Sequence, residues 1–155
     1  MKVAAIQMVS CADVKANLTT ARQLLEEAAA QGAELAVLPE YFWLLGFKDT
    51  DKVPFAEQLG TGLMQDFLAA CAKDLKLWIA GGTLPLVTGK AERVTNTTLV
   101  YTPSGEVAAR YDKIHLFRFD NGRESYDESR VLDAGRDPVA FDLPSVDGHT
   151  YRVGL

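Results

Sequence analysis

The sequence predicts an α/β fold in which helices pack on one face of a mixed sheet, and three observations carry that prediction. Short apolar segments at 2–8, 34–38 and 77–82 alternate with two longer stretches whose apolar residues recur every three or four positions. From Thr95 onward the helical period gives way to strand-like runs separated by turn residues. The 155 residues are 48% hydrophobic and 24% charged, the balance of a globular chain that can take roughly 70% of its unfolded surface out of water.

The first strand is read from the loose alternation of Val3, Ala5 and Gln7 against Ala4, Ile6 and Met8. A helix follows, with Asp13 as its N-cap, Leu18, Ala21, Leu24, Leu25, Ala28 and Ala29 as its apolar stripe, and Gly32 as its stop. Residues 34–38 are the second strand, and 41–60, with Gly46 and Pro54, form a long excursion over the end of the sheet. Leu63, Phe67, Leu68, Cys71 and Leu75 share one stripe of a second helix, which assigns Cys71 to core packing. "LWIAGG" is a third strand, stopped by its glycines. "TNTTLVYT" and "EVAARYDKIHLF" around "PSG" are two strands of a hairpin. Residues 118–137 are a polar loop with one helical turn, and "VAFDL" and "YRVGL" are the final strands. Two helices leave the opposite sheet face to be covered by a second sheet, another layer or a partner.

Several classes are excluded by composition. A net charge of −5 with scattered lysines and arginines gives no footprint for nucleic acid. No apolar run approaches the roughly 20 residues that span a bilayer, so no membrane partner is expected. No cleavage signal is read in "MKVAAIQM", so the expected location is cytoplasmic, with Cys11 and Cys71 both reduced. Two histidines, His115 and His149, without metal-ligand spacing make no metal site, and no phosphate loop, dinucleotide fingerprint or serine elbow is present. No cofactor is expected.

Open α/β sheets gather their sites beyond the carboxyl ends of the strands. Glu40 falls there, after Pro39. Its neighbours Tyr41, Phe42 and Trp43 are expected to strip water from its carboxylate and favour its use as a general base. Lys113 is the second candidate: on a strand it shares a face with Tyr111, His115 and Phe117, and an ammonium there would stabilise a developing oxyanion. Glu128 is a third ionisable residue, in a loop fifteen positions further on. Each has an ordinary reading on its own: a solvated strand-end glutamate, an outward lysine, a solvated acidic loop, and for His115 a local hydrogen bond.

Together the motifs "VLPEYF", "RYDKIHLF" and "DESRVLDAG", with "MKVAAIQM" and the "TNTTLVYTPSGEVAARYDK" hairpin, resemble the nitrilase superfamily, the carbon-nitrogen hydrolases, over essentially the whole chain. The resemblance implies the N-terminal part of an α-β-β-α sandwich and a Glu-Lys-Cys triad. In that triad Glu40 matches the general base, Lys113 the lysine, and Glu128 a further glutamate that positions lysine and substrate.

The implied reaction is hydrolysis of a non-peptide C–N bond in a small carboxylate-bearing amide, giving acid and ammonia through a cysteine thioester. "YDKIHLF" and "DES" look closer to the branch acting on ω-amides or deaminated glutathione than to nitrile hydrolases. In the family the nucleophilic cysteine follows a strand resembling "YRVGL" by a few residues. The expectation is therefore a domain over 1–155 that stops just before it, with no nucleophile in this chain and no activity alone. Alternatives are a non-catalytic assembly or structural fragment and a nitrile hydrolase. Expected partners are the small-molecule amide and either a second copy in a homo-oligomer or a complementary C-terminal segment.

Overall fold

In the computed structural model, which describes residues 1–155, three short parallel strands lie side by side: β1 (Val3–Ala5), β2 (Leu35–Val37) and β3 (Trp78–Ala80). Helices α1 (Val14–Ala30) and α2 (Leu63–Leu75) make the two crossovers. Asp13 caps α1 as predicted, its Oδ1 accepting the Ala16 N–H at 3.1 Å. Gly62, at the cap position of α2, has no side chain for that role. The buried Glu57 carboxylate supplies it instead, accepting the Met64 and Gln65 N–H groups at 2.6 and 3.2 Å.

Strand alternation sorts the sheet into two faces. Ala36, Ile79, Leu99 and Tyr101 meet Ala21 and Leu25 of α1 and Leu68, Cys71 and Ala72 of α2 in the main core. Cys71 is 1% exposed there, the packing role its stripe predicted.

Beyond β3 the chain kinks at Gly81 and Gly82 and continues as β4 (Leu84–Val87). Strands β3 and β4 run end to end along one edge of β5 (Val94–Tyr101), while β6 (Val107–Asp112) takes the other edge. The hairpin of β5 and β6 was legible in the sequence, but β4 was not. Its Pro85 argues against a ladder strand and is tolerated because β4 ends the strand order of the sheet. The loop expected over 118–137 contains a further hairpin, β7 (Arg118–Asp120) with β8 (Ser125–Asp127), followed by the expected helical turn at Glu128–Arg130. Those strands are almost wholly exposed, so no burial alternation marked them.

Strands β9 (Ala140–Pro144) and β10 (Thr150–Gly154) form a separate two-stranded sheet on the face opposite the helices. Phe141 and Leu143 pack on Leu35, Ala80 and Val100, and Trp78 stacks on Phe141 with ring centroids 5.8 Å apart. Each such buried side chain contributes about 1.5–3 kcal/mol. The second face is thus partly met by a second sheet. At the other side of that face Val3, paired with Leu35, and Val37, paired with Ala5, remain 48% and 38% exposed. No helix is long and apolar enough to cross a membrane.

Candidate active site

Glu40, Lys113 and Glu128 converge at the carboxyl ends of the parallel strands, beside a cleft of about 340 Å³. Glu40 follows β2 by three residues and is turned by a backbone that is unusual at Tyr41, whose φ is +55°. A non-glycine residue in the left-handed region costs about 1–3 kcal/mol and needs external support. Two contacts provide it: the Tyr41 N–H donates to Thr83 Oγ1 at 3.1 Å, and the Trp43 indole donates to the Thr83 carbonyl at 3.0 Å.

That turn separates Glu40 from the aromatic residues expected to desolvate it. Phe42 and Trp43 are fully buried in the main core, whereas the Glu40 side chain is 43% exposed and opens into the cleft. The expected desolvation of Glu40 is therefore corrected: the backbone reversal at Tyr41 sends two of the three rings inward.

Lys113 lies one residue past the end of β6, fixed by its N–H donating to Asn96 O at 2.9 Å and its carbonyl accepting the Gly135 N–H at 2.9 Å. It shares the cleft with Tyr111, as the alternation predicted. His115 and Phe117 do not follow, because the strand ends at Asp112 and the period-2 rule ends with it; both side chains are exposed.

The Lys113 ammonium bridges the two carboxylates, 3.0 Å from Glu40 Oε1 and 2.9 Å from Glu128 Oε2. Glu128 is saturated. Its Oε2 also accepts the Phe117 N–H at 2.7 Å, and its Oε1 accepts from Lys113 at 3.2 Å and from the Tyr41 hydroxyl at 3.3 Å. Glu40 is bonded on one oxygen only: Asn96 Nδ2 and Lys113 Nζ both donate to Oε1, and Oε2 has no protein partner. One carboxylate is thus a structural acceptor, and the other keeps an oxygen free toward the cleft.

The electrostatics follow from these contacts. Burial pushes the Glu128 pKa up, but the Phe117 N–H, the Lys113 ammonium and the Tyr41 hydroxyl outweigh it, so Glu128 is held below the usual glutamate range. Burial likewise pulls Lys113 down, and its bonds and charge attraction to Glu128 and Glu40 more than compensate, so it is raised. Tyr41 is pushed well up by burial and by the charges of Glu128 and Glu40, which keeps its hydroxyl protonated as a donor.

Neither cysteine lines this cleft. Cys11 sits at the entry to α1 with Sγ 3.4 Å from Asn17 Oδ1, and Cys71 is in the core against Arg22. Leu155, beyond β10, does line it.

A sequence profile described as carbon-nitrogen hydrolase matches residues 2–155. The chain belongs to the carbon-nitrogen hydrolase family.

Among its relatives, a deaminated glutathione amidase of Synechocystis is 37% identical over 141 residues, covering 89% of this chain and 51% of that protein. The chloroplastic omega-amidase of Arabidopsis thaliana is 34% identical over 154 residues, covering 96% of this chain and 40% of that protein. The crystal structure of Saccharomyces cerevisiae Nit3, a member of branch 10 of the nitrilase superfamily, superposes with a TM-score of 0.76 at 26% identity, covering 92% of this chain and 51% of that one. This carbon-nitrogen hydrolase chain therefore spans about half the length of the relatives it matches. The family resemblance and the α/β sandwich architecture read from the motifs are both borne out.

Three side chains at the site were not singled out by sequence reasoning: Asn96, the Tyr41 hydroxyl and Lys52. Asn96 carried a signal, since it is a lone amide within an apolar and threonine-rich strand run, and it is 3% exposed. Lys52 carried none, because nothing in an irregular segment distinguishes a buried lysine from a solvated one.

Proposed function

We propose that these residues form the base-and-cation half of an amide-hydrolysing site, with Glu40 as general base, Lys113 as oxyanion donor and Glu128 as the residue that positions Lys113. The observation that carries this reading is the asymmetry of the two carboxylates around one ammonium. Glu40 Oε2 is free to take a proton beside the cleft, and Glu128 has no oxygen to spare.

The nucleophile in this reading is a cysteine outside these 155 residues, which make up one portion of the catalytic domain. Leu155 at the cleft supports delivery of that cysteine by the segment after β10. Glu40 takes the thiol proton and the thiolate attacks the amide carbonyl, forming the C–S bond while Lys113 faces the new oxyanion. Collapse breaks the C–N bond, and Glu40 returns its proton to the leaving nitrogen, which departs as ammonia. Glu40 then takes a proton from water, hydroxide attacks the thioester, and the C–S bond breaks to give a carboxylic acid and the thiolate, which Glu40 reprotonates.

A small carboxylate-bearing amide is the proposed substrate, supported by relatives that are an omega-amidase and a deaminated glutathione amidase. The open strip at Val3 and Val37 supports a proposed partner on that face, either the remainder of the sandwich or a second copy.

The test is ammonia release from ω-amides of dicarboxylic acids, using the 155-residue chain alone and a form extended beyond Leu155. Release by the extended form and none by the chain alone is expected. Release by neither form supports a non-catalytic role, and hydrolysis of nitriles in place of amides moves the chain to the nitrilase reading.

A further inference from the structure

Lys52 is the one buried lysine, 8% exposed, and it comes from the excursion between β2 and α2, in a 3-10 segment spanning Asp49–Phe55. Its ammonium donates to the Tyr41 hydroxyl oxygen at 3.0 Å and lies 4.5 Å from the centroid of the same ring. Its nearest carboxylate, Asp49, is at 4.0 Å. Burying a lysine with so loose an ion pair is unfavourable unless the position has another use.

The direction of the hydrogen bonds suggests that use. An ammonium has no lone pair, so while Lys52 is charged it can only donate to Tyr41. The tyrosine's single proton is then free to go to Glu128 Oε1, 3.3 Å away. Glu128 in turn holds Lys113 through both of its oxygens. A neutral Lys52 amine could accept the Tyr41 proton, and Glu128 would then lose a donor.

We infer that Lys52 is a positioning residue, which acts through the Tyr41 hydroxyl to fix the Glu128 carboxylate against Lys113. The role assigned to Glu128 rests on the proposed amide-hydrolysing reading; the relay itself does not. The left-handed backbone at Tyr41 belongs to the same device, because it separates this one ring from Phe42 and Trp43 and presents its hydroxyl to both partners.

The charged groups facing Lys52 are Asp49, Glu128, Glu40 and Lys113. Lys113 opposes its charge and the carboxylates favour it. Burial is the strongest influence and lowers its pKa, so the relay weakens toward alkaline pH.

The test is a carbon-13 titration of the Glu128 carboxyl in the 155-residue chain, in wild type, Lys52→Met, Tyr41→Phe and the double variant. Each single substitution is expected to raise the Glu128 midpoint by about half a pH unit or more. Lys52→Arg, which keeps the charge, should stay near wild type.

In the Tyr41→Phe background, Lys52→Met should add less than half of the shift it causes alone, because the hydroxyl that carries it is gone. An equal shift in both backgrounds would mean that Lys52 acts by its field alone, and the relay is overturned. If Lys52→Met does not fold, Tyr41→Phe still decides, since it removes a single oxygen: an unchanged Glu128 midpoint in that variant overturns the inference. The titration requires no turnover, so it can fail while amide hydrolysis succeeds, and succeed where no amide is hydrolysed.

Discussion

Lys113 and Glu40 are 73 positions apart in the chain, and their charged atoms stand 3.0 Å apart at one end of the sheet. Glu128 closes the group from the other side of the ammonium. Two elements deliver the pair, the turn after β2 and the end of β6. The β5–β6 pairing sets the distance between them, through the Lys113 N–H on Asn96 and the Asn96 amide on Glu40.

Because the two glutamates differ in hydrogen bonding, their amides should differ in effect. In a catalytically competent extended form, Glu40→Gln is expected to lower kcat by about 100-fold or more, since it removes the proposed general base. The fold should be nearly unaffected, because one Glu40 oxygen is unbonded. Glu128→Gln should lower both stability and activity, since its amide nitrogen would face donors. Steady-state ammonia release and urea unfolding on the same samples separate the two outcomes.

The pair also predicts a pH dependence of stability. Glu128 is depressed in the folded state, so its contribution is complete above the ordinary glutamate pKa of about 4.3 and is lost as pH falls through the lower folded value. Lys113 is raised, so its contribution is complete below about 10.4 and is lost as pH rises through the higher folded value. Between those limits the pair should add no slope. Urea midpoints measured from below the lower limit to above the upper one should show both flanks shrink in Lys113→Met.

Two glycines hold backbone against backbone around the site. A Cβ at Gly82, where φ is +58°, would lie 2.2 Å from Pro39 O, and one at Gly135 would lie 2.1 Å from Asp112 O. Alanine at either is expected to cost about 1–3 kcal/mol. Gly154→Ala, with nothing within 4 Å, should change stability by less than about 0.5 kcal/mol. Thermal unfolding of the three variants checks the contrast.

Asn17 is 2% exposed, and its amide donates to the Cys11 and Trp43 carbonyls at 2.7 and 2.8 Å. Asn17→Ala takes this donor from the Trp43 carbonyl and the Oδ1 acceptor from the Cys11 N–H, while the Cys11 carbonyl keeps the Leu45 N–H, and it should cost about 1–3 kcal/mol, measured as a shift in the urea midpoint. The loss should also loosen the turn carrying Glu40, because Trp43 is three residues away.

Sequence alone determined the local periods and the stops. The stripe from Leu18 to Ala29 dictates α1, the stripe of Phe67, Leu68, Cys71 and Leu75 dictates α2 while Leu63, expected on it, stays 61% exposed at the helix start, and the apolar runs between them dictate the strands, because burial of one face imposes a repeat that neighbours in the chain must obey. It also carried the motifs that named the family and pointed to Glu40, Lys113 and Glu128. The tertiary structure decided which side chains meet and how each is hydrogen-bonded there. The left-handed turn at Tyr41, the burial of Lys52, the saturation of Glu128 and the free oxygen of Glu40 all arise where separate elements are brought together by strand register and loop closure. Those contacts are non-local, and a one-dimensional pattern has no period that encodes them.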